Sequence, residues 1–525
     1  MENRKKTKKF LHAETSLMKT RKLLLSTVIL PLALLVKLNA AEPSTLAHPG
    51  LRPNVIIILA DDLSYCDLGY TGQKLIQTPN IDRLAGSGLR FTEAYSAANA
   101  CAPSRAGLMT GLHMGHCRIR SNGVQKPWPG YKKGSDGYLK AEDVTVAEVL
   151  KLAGYATGYV GKWGLGEADN QGAPNKKGFD YSFGHYNQTC AHNYYPPRLW
   201  ENGQEIQLPE NKGFKIREIS AASYDRNGIF HPPGVADPAK AKNSQALVHA
   251  AGLDFIRRNK DRPFFLYYAT QLPHGGLMVP SLGSYKDQKW PLENKEWAGM
   301  VTWLDQCVGE IVGLLRELKL EENTLIVFAS DNGYSAWGYF NRPHWEDDPI
   351  FKNKGPWPGG KFAIYEGGCR VPMVAYWPKH IRSGESRHLT AFYDLMPTLA
   401  ELAGVATPPT DGISMVPELL GRSDQQKKHD YLYWENGGLT IEGQAVRFGP
   451  WYAMSETPGK PVTLFDVEKD PACAHDQAGQ HPELVTRAKA MFKEAHVDSD
   501  WFTNPGESSG ERKRYPAKAK AEELK

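Results

Sequence analysis

Several features that would place a chain quickly are missing here, and each gap removes a class. The seven cysteines, Cys66, Cys101, Cys117, Cys190, Cys307, Cys369 and Cys473, are odd in number and scattered, with no Cys-x-x-Cys pair and no zinc-ligand spacing. Neither a disulfide framework nor a zinc site is indicated. The apolar run Leu23 to Val36 is short for a membrane span and is interrupted by Pro31 and followed by Lys37, so no stable membrane partner is expected. A basic surplus is also absent outside the first 40 residues. Those residues carry nine Lys and Arg against two acids, and removing them turns the formal +5 into about −2. Nothing then argues for a nucleic-acid partner. No internal repeat is visible, which excludes a solenoid.

What remains is an ordinary globular composition, 41% hydrophobic and 23% charged over 525 residues, enough for one large domain and a smaller one. With 50 Gly and 36 Pro the chain is rich in loops. Residues 1–40 run from a basic stretch through an apolar core to Leu38-Asn39-Ala40-Ala41. That order is an export signal and implies a periplasmic or extracellular protein, a retained N-terminal anchor being the alternative.

Asn54 to Ala60 is a continuous β-branched run, the mark of a strand buried on both faces of a parallel sheet, and it ends in Asp61-Asp62. Leu325 to Ala329 is a second such run, ending in Ser330-Asp331-Asn332-Gly333. If the two strands lie side by side, three carboxylates and an amide meet at their carboxyl ends, where open α/β sheets place their sites. Oxygen-only donors suit Ca²⁺ or Mg²⁺ rather than zinc. A solvated turn with a helix cap is the ordinary reading of either acidic end alone.

Between these runs, helical and strand patterns alternate. Ile76 to Leu84 opens a helix, Gly88 to Phe91 feeds a strand, and Val144 to Ala153 reads as an amphipathic helix. Tyr155 to Val160 runs into a glycine-rich turn that presents Lys162. A helix ending near Asn259 precedes the strand Pro263 to Ala269, with His274 just beyond it. Gly359-Gly360-Lys361 precedes Tyr365-Glu366-Gly367-Gly368 and a further strand. Beyond about residue 425, Tyr431–Glu435, Gln444–Arg447, Trp451–Met454 and Thr463–Asp466 are short alternating strands, and Pro482 to Ala495 is a helix. These elements predict a large mixed, mostly parallel sheet flanked by helices over 50–425. A smaller antiparallel α+β subdomain over 426–505 and a disordered tail over 506–525 follow.

Cys101-Ala102-Pro103-Ser104-Arg105, continuing to Thr110-Gly111, is the most specific stretch. Pro103 fits the first turn of a helix and Thr110-Gly111 its end, so Cys101 sits at a helix N-terminus, which favours an anion. Arg105, one turn on, carries a planar fork of donors suited to an oxyanion or a carboxylate. Alone, a cysteine there also fits an ordinary buried thiol.

Cys101-x-Pro-Ser-Arg105 followed by Thr-Gly resembles the signature of the type I, formylglycine-dependent sulfatases. With Asp61-Asp62, Gly161-Lys162-Trp163, His274, Asp331-Asn332-Gly333, Gly360-Lys361 and Tyr365-Glu366-Gly367-Gly368 in order, the chain looks like that family throughout, of the arylsulfatase A type in the alkaline phosphatase superfamily. The resemblance implies that a formylglycine-generating or sulfatase-maturating enzyme converts Cys101 to Cα-formylglycine. One hydroxyl of its hydrate attacks sulfur; the other then expels sulfate. It implies a cation, Ca²⁺ or Mg²⁺, held by Asp61, Asp62, Asp331, Asn332 and residue 101. Arg105 orients the hydrate, Lys162 and Lys361 neutralise the sulfate, and His274 protonates the leaving group, with His192 beside the substrate. The implied substrate is a sulfate monoester, either an aryl sulfate or a sulfated carbohydrate. The aromatic stretches His192 to Pro196 and Trp337 to His344 fit the carbohydrate, since aromatic faces stack on sugars.

One position departs from the pattern. Gly164 stands where the family often carries a histidine that contacts the formylglycine and transfers a proton as sulfate leaves. His113, His116, His185 and His192 are the candidates to replace it. A phosphodiester or phosphonate monoester hydrolase of the same superfamily, and a glycan-binding protein that has lost turnover, are the rival readings.

Overall fold

A computed structural model describes residues 51–122, 137–335, 346–437, 441–456 and 460–497. The export signal, the tail after 506 and the aromatic stretch Trp337 to His344 lie outside these residues. In chain order the strands are β1 (Asn54–Ala60), β2 (Leu89–Phe91), β3 (Ala94–Tyr95), β4 (Ala156–Lys162), β5 (Tyr181–His185), β6 (Arg198–Glu201), β7 (Gln204–Gln207) and β8 (Phe264–Ala269). They continue with β9 (Thr324–Ser330), β10 (Met373–Tyr376), β11 (Gly384–Ser386), β12 (Thr390–Ala391), β13 (Leu432–Gly437), β14 (Ile441–Phe448), β15 (Trp451–Ser455) and β16 (Thr463–Asp466). The longer helices are α1 (Pro79–Ser87), α2 (Cys101–Thr110), α3 (Val146–Leu152), α4 (Ser244–Arg258) and α5 (Leu292–Glu317). After them come α6 (Glu366–Cys369), α7 (Leu395–Ala403), α8 (Val416–Leu419) and α9 (Pro482–Ala495).

Ten strands form one mixed sheet in the order β11-β2-β10-β9-β1-β8-β4-β5-β6-β7. The central run from β9 to β5 is parallel, and β10, β6 and β7 add antiparallel pairs. β1 lies between β8 and β9 and explains its own sequence. Val55, Ile57 and Leu59 point into one core with α2, α3 and α7, while Ile56, Ile58 and Ala60 point into another with α1, α4 and α5. A strand covered on both faces has no use for polar alternation, hence the unbroken apolar run. Burying each Ile or Leu there contributes about 1.5–3 kcal/mol.

β13 to β16 form a separate antiparallel sheet. Tyr433, Val446 and Ala453 pack on α9, and Leu432, Trp434, Ala445 and Tyr452 face the first core. The Trp434 indole donates to Ser96 O at 3.0 Å, and the Tyr452 hydroxyl to Ile364 O at 2.6 Å. The two sheets thus share the first of these cores.

α3 is shorter than the expected 144–153 helix because Thr145 caps it: its hydroxyl accepts from the Glu148 amide, and Glu148 accepts from the Thr145 amide. α2 begins and ends at the expected residues. Ala100 is extended, and Gly111 is left-handed (φ 71°), its amide bonded to Gly107 O at 2.9 Å.

Candidate active site

The parallel pairing of β1 with β9 places Ala60 opposite Ser330, so the two acidic ends leave the sheet together. The Asp331 amide donates to Ala60 O at 3.0 Å, and the Asp62 amide to Asp331 Oδ1 at 3.2 Å. Asp62 holds φ of 67°, a left-handed turn that brings its carboxylate back over the strand ends. Two strands away β4 delivers Lys162, whose Nζ lies 2.6 Å from Asp61 Oδ2. Lys361, from the glycine-rich loop before α6, reaches the oxygens of Asp62. His274, past the end of β8, points Nε2 toward Lys361 Nζ at 3.4 Å and Asp62 Oδ2 at 3.5 Å.

Cys101 opens α2 with its Sγ donating to Asp61 Oδ1 at 3.5 Å. Residues separated by up to about 300 positions, from Asp61 to Lys361, therefore share a single buried cluster. Arg105 is wholly buried. Its Nε and one terminal nitrogen donate to Asp331 Oδ2 at 3.0 and 2.8 Å, and the other terminal nitrogen to Lys162 O at 2.6 Å. In this arrangement Arg105 fixes Asp331 and the end of β4 with three of its five N–H donors.

The electrostatics follow from burial opposed by opposite charge. Asp62 lies far below the ordinary carboxylate range: burial acts to raise it, and Lys361, His274 and Lys162 together outweigh that. Asp331 is raised to about 6 by burial and by Asp61, against Arg105 and Lys162. Burial pushes the Cys101 thiol up to about 12, so as a thiol it is protonated and a poor nucleophile at neutral pH. His274 is lowered to about 3 by burial first and then by Lys162 and Lys361. Its Nδ1 bonds Gly275 O at 2.5 Å, which puts the proton of the neutral ring on Nδ1 and leaves Nε2 as the acceptor.

The donor set fits a hard divalent cation. Asn332 Nδ2 donates to Asp62 Oδ1 at 2.8 Å, and the buried Asn332 Oδ1 has no donor. An oxygen left so is what a cation would satisfy. Asp61, Asp62, Cys101 and His274 each offer one atom within 4.8 Å of the others. A second group, His113, His116 and Asp411, is equally compact. There the Gly115 amide donates to His113 Nδ1 at 3.1 Å, which fixes the proton on Nε2, the nitrogen facing Asp411. That group reads as a hydrogen-bonded tie between the end of α2 and the 410–412 turn.

The histidines singled out by sequence therefore part company. His192 stacks on His274 with ring centres 4.1 Å apart, and burial holds it far below its ordinary pKa. His185 ends β5 opposite Lys162, and burial lowers it to about 3. His113 and His116 belong to Asp411 instead. The aromatic stretch at 192–196 also differs from the expected sugar platform. Tyr194 and Tyr195 are buried, and the Tyr194 hydroxyl donates to Gln271 O at 2.8 Å and His274 O at 2.9 Å. These rings build the wall behind His274. Sequence reasoning missed Tyr194 in this role, and it missed Gln188, which lies against Gly164.

Comparison with known proteins agrees with the geometry. The Sulfatase family matches residues 53–405, and the family described as N-sulphoglucosamine sulphohydrolase, C-terminal, matches 359–495. Human arylsulfatase A is 34% identical over 441 residues, covering 80% of this chain and 78% of the relative. The N-acetylgalactosamine-6-O-sulfatase of Bacteroides thetaiotaomicron is 29% identical over 524 residues, covering 88% and 96%. Among solved structures, Ps i-CgsB in complex with k-i-k-neocarrahexaose is 29% identical with a TM-score of 0.68, covering 86% of this chain and 94% of that one. The phosphonate monoester hydrolase of Agrobacterium radiobacter, 19% identical with a TM-score of 0.60, shares the fold. By its matched residues and by these relatives the chain belongs to the sulfatase family, and its class of activity is sulfuric ester hydrolysis.

Proposed function

We propose that the protein is an exported sulfatase that cleaves sulfate monoesters of carbohydrates, using Cα-formylglycine formed from Cys101 and a divalent cation, Ca²⁺ in preference to Mg²⁺. The observation that carries this reading is the position of Cys101, its sulfur 3.5 Å from Asp61 where the two acidic strand ends meet. Asp61, Asp62, Asp331 and Asn332 would hold the cation. When bound, the cation and the aldehyde hydrate supply a polarised sulfate oxygen and a strong oxygen nucleophile at neutral pH. Three buried acids are already matched by Arg105, Lys162 and Lys361. A divalent charge among them leaves a positive surplus that an anionic ester offsets.

Lys162 and Lys361, which contact Asp61 and Asp62 in the same cluster as Cys101, would neutralise the sulfate oxygens. His274 Nε2 is the atom that holds the proton for the departing alcohol. Kept neutral by burial and two ammonium groups, it gains proton affinity once an anion sits beside them. Tyr194 holds the backbone of that histidine in place. Carbohydrate is favoured over simple aryl sulfates because proteins similar to most of this chain include one named N-acetylgalactosamine-6-O-sulfatase and one solved in complex with k-i-k-neocarrahexaose. Export is supported by the basic, apolar and small-residue order of residues 1–40.

The deciding experiment is the mass of the peptide carrying residue 101, from protein made with a formylglycine-generating enzyme, alongside rates on 4-nitrophenyl sulfate, phosphate and phosphonate esters. The reading expects the aldehyde and a preference for the sulfate. Turnover by protein whose residue 101 is cysteine throughout would overturn it.

A further inference from the structure

Residue 164 has no side chain, and the space beside it is filled from the neighbouring loop. β4 and β5 pair in parallel up to Lys162 and His185, and the pairing runs on past the sheet: the Trp163 amide donates to His185 O at 2.9 Å and the Gly164 amide to Tyr186 O at 3.0 Å. That continuation carries Gln188 onto Gly164. A Cβ added to residue 164 would lie 3.2 Å from Gln188 Cβ, 3.3 Å from Gln188 Oε1 and 3.9 Å from Ala102 Cβ, the residue that follows Cys101. Gly164 itself has φ of 75°, a backbone that side chains rarely adopt. The glycine and the glutamine thus belong together, one making the room that the other occupies.

Gln188 is 4% exposed. Its Nε2 donates to Asn122 O at 3.3 Å, which fixes the amide's orientation and turns Oε1 the other way. Oε1 is buried with no donor. Asn122 is tied to the first turn of α2, since its Oδ1 accepts the Ala102 amide at 3.0 Å. A buried carbonyl oxygen without a donor is costly, so the working protein is expected to bring one.

We propose that Gln188 is a positioning residue for the group at position 101. Its Oε1 accepts a hydrogen bond from a hydroxyl that residue 101 carries after maturation, in the space next to the glycine that replaces the family histidine. The inference rests on the proposed conversion of Cys101. A carboxamide neither gains nor loses a proton near neutral pH, so Gln188 orients that hydroxyl and exchanges nothing with it.

The test uses the full chain matured with a formylglycine-generating enzyme, as wild type, Gln188→Met and Gln188→Glu. Methionine keeps the length and the burial but removes the acceptor, and glutamate keeps an acceptor. An acceptor on the hydrate disfavours the free aldehyde, so its loss should speed oxime formation with methoxyamine. We expect Gln188→Met to lower kcat on 4-nitrophenyl sulfate about tenfold with KM little changed, and to raise the oxime rate about tenfold, as loss of one buried hydrogen bond does. Its melting midpoint should fall by no more than the lost bond from Nε2 to Asn122 O accounts for, and Gln188→Glu should keep the slow oxime rate. A methionine variant that matches wild type in kcat and oxime rate overturns the role of Gln188, as does one that loses kcat with an unchanged oxime rate. Wild-type protein that carries no aldehyde overturns this inference and the proposed function together; matured, active wild type beside an unaltered variant overturns this inference alone.

Discussion

Lys361 Nζ lies 2.7 Å from one oxygen of Asp62 and 2.9 Å from the other, so a single ammonium caps the carboxylate that leaves β1. Removing one member of a buried pair strands the other, at a cost of about 3–5 kcal/mol. Lys361→Met should therefore melt well below wild type in chelator. Calcium should restore more stability to this variant than to wild type, since the cation replaces the missing charge. Its kcat/KM on 4-nitrophenyl sulfate should fall by about 10²–10³, the scale of losing one donor to a developing oxyanion. Equal calcium-dependent shifts in the two proteins would show that Asp62 is no ligand.

Cys101→Ala should stop turnover and leave the fold. The side chain makes one long contact to Asp61, so little stability depends on it. Circular dichroism and the melting midpoint should match wild type, while hydrolysis of 4-nitrophenyl sulfate falls to the uncatalysed rate. Wild-type turnover in this variant would remove the residue from the chemistry.

Tyr194→Phe tests the wall behind His274. It deletes the hydroxyl that donates to Gln271 O and His274 O. Stability should fall by about 1 kcal/mol, the worth of an ordinary buried hydrogen bond. The larger effect should be on slow-leaving substrates: kcat on an alkyl sulfate should drop more than on 4-nitrophenyl sulfate, whose leaving group needs little protonation. An equal drop on both would place the tyrosine outside the path of the proton.

Glu435 gives a pH signature in the C-terminal sheet. It accepts from Arg120 at 2.9 Å, His496 Nδ1 at 2.7 Å and the Tyr433 hydroxyl at 2.7 Å. Burial acts to raise its pKa, but Arg120 and His496 prevail and hold it at about 2, against an ordinary 4.5. A depressed carboxylate adds stability that is present above 4.5 and is lost as pH falls toward 2, here about 3 kcal/mol. Glu435→Gln should be destabilised by that order at pH 7, and the gap to wild type in denaturant unfolding should shrink between pH 4.5 and pH 2. A gap independent of pH would mean that the charge does not matter there.

Much of this site could be read from sequence because its parts sit at strand ends and helix ends, which short-range patterns mark. β1 and β9 are apolar on both faces, so the residues that stop each run are the ones the sheet presents, Asp61-Asp62 and Asp331-Asn332. α2 declares itself through Pro103 and Gly111. What sequence could not show depends on long-range registration. Gln188 reaches Gly164 because β4 and β5 stay in step beyond their last paired residues, and no local pattern encodes that. Tyr194 and Tyr195 look like surface aromatics in a loop, yet the chain packs them inside, where the phenol satisfies two carbonyls. Arg105 carried the right charge for an oxyanion, and only the fold reveals that Asp331 takes two of its donors.

The interment of α2 has a consequence for the order of events in the life of the chain. Every residue from Cys101 to Thr110 is buried, in a core that also draws on Leu395 and Met396 of α7, Trp434 of β13 and Tyr452 of β15. On the proposed conversion of Cys101, an enzyme that must grip the segment around it would have to act before those late-arriving pieces close over it. Maturation and folding would then compete for the same stretch, and a chain that folded first would be well formed but would lack the proposed nucleophile.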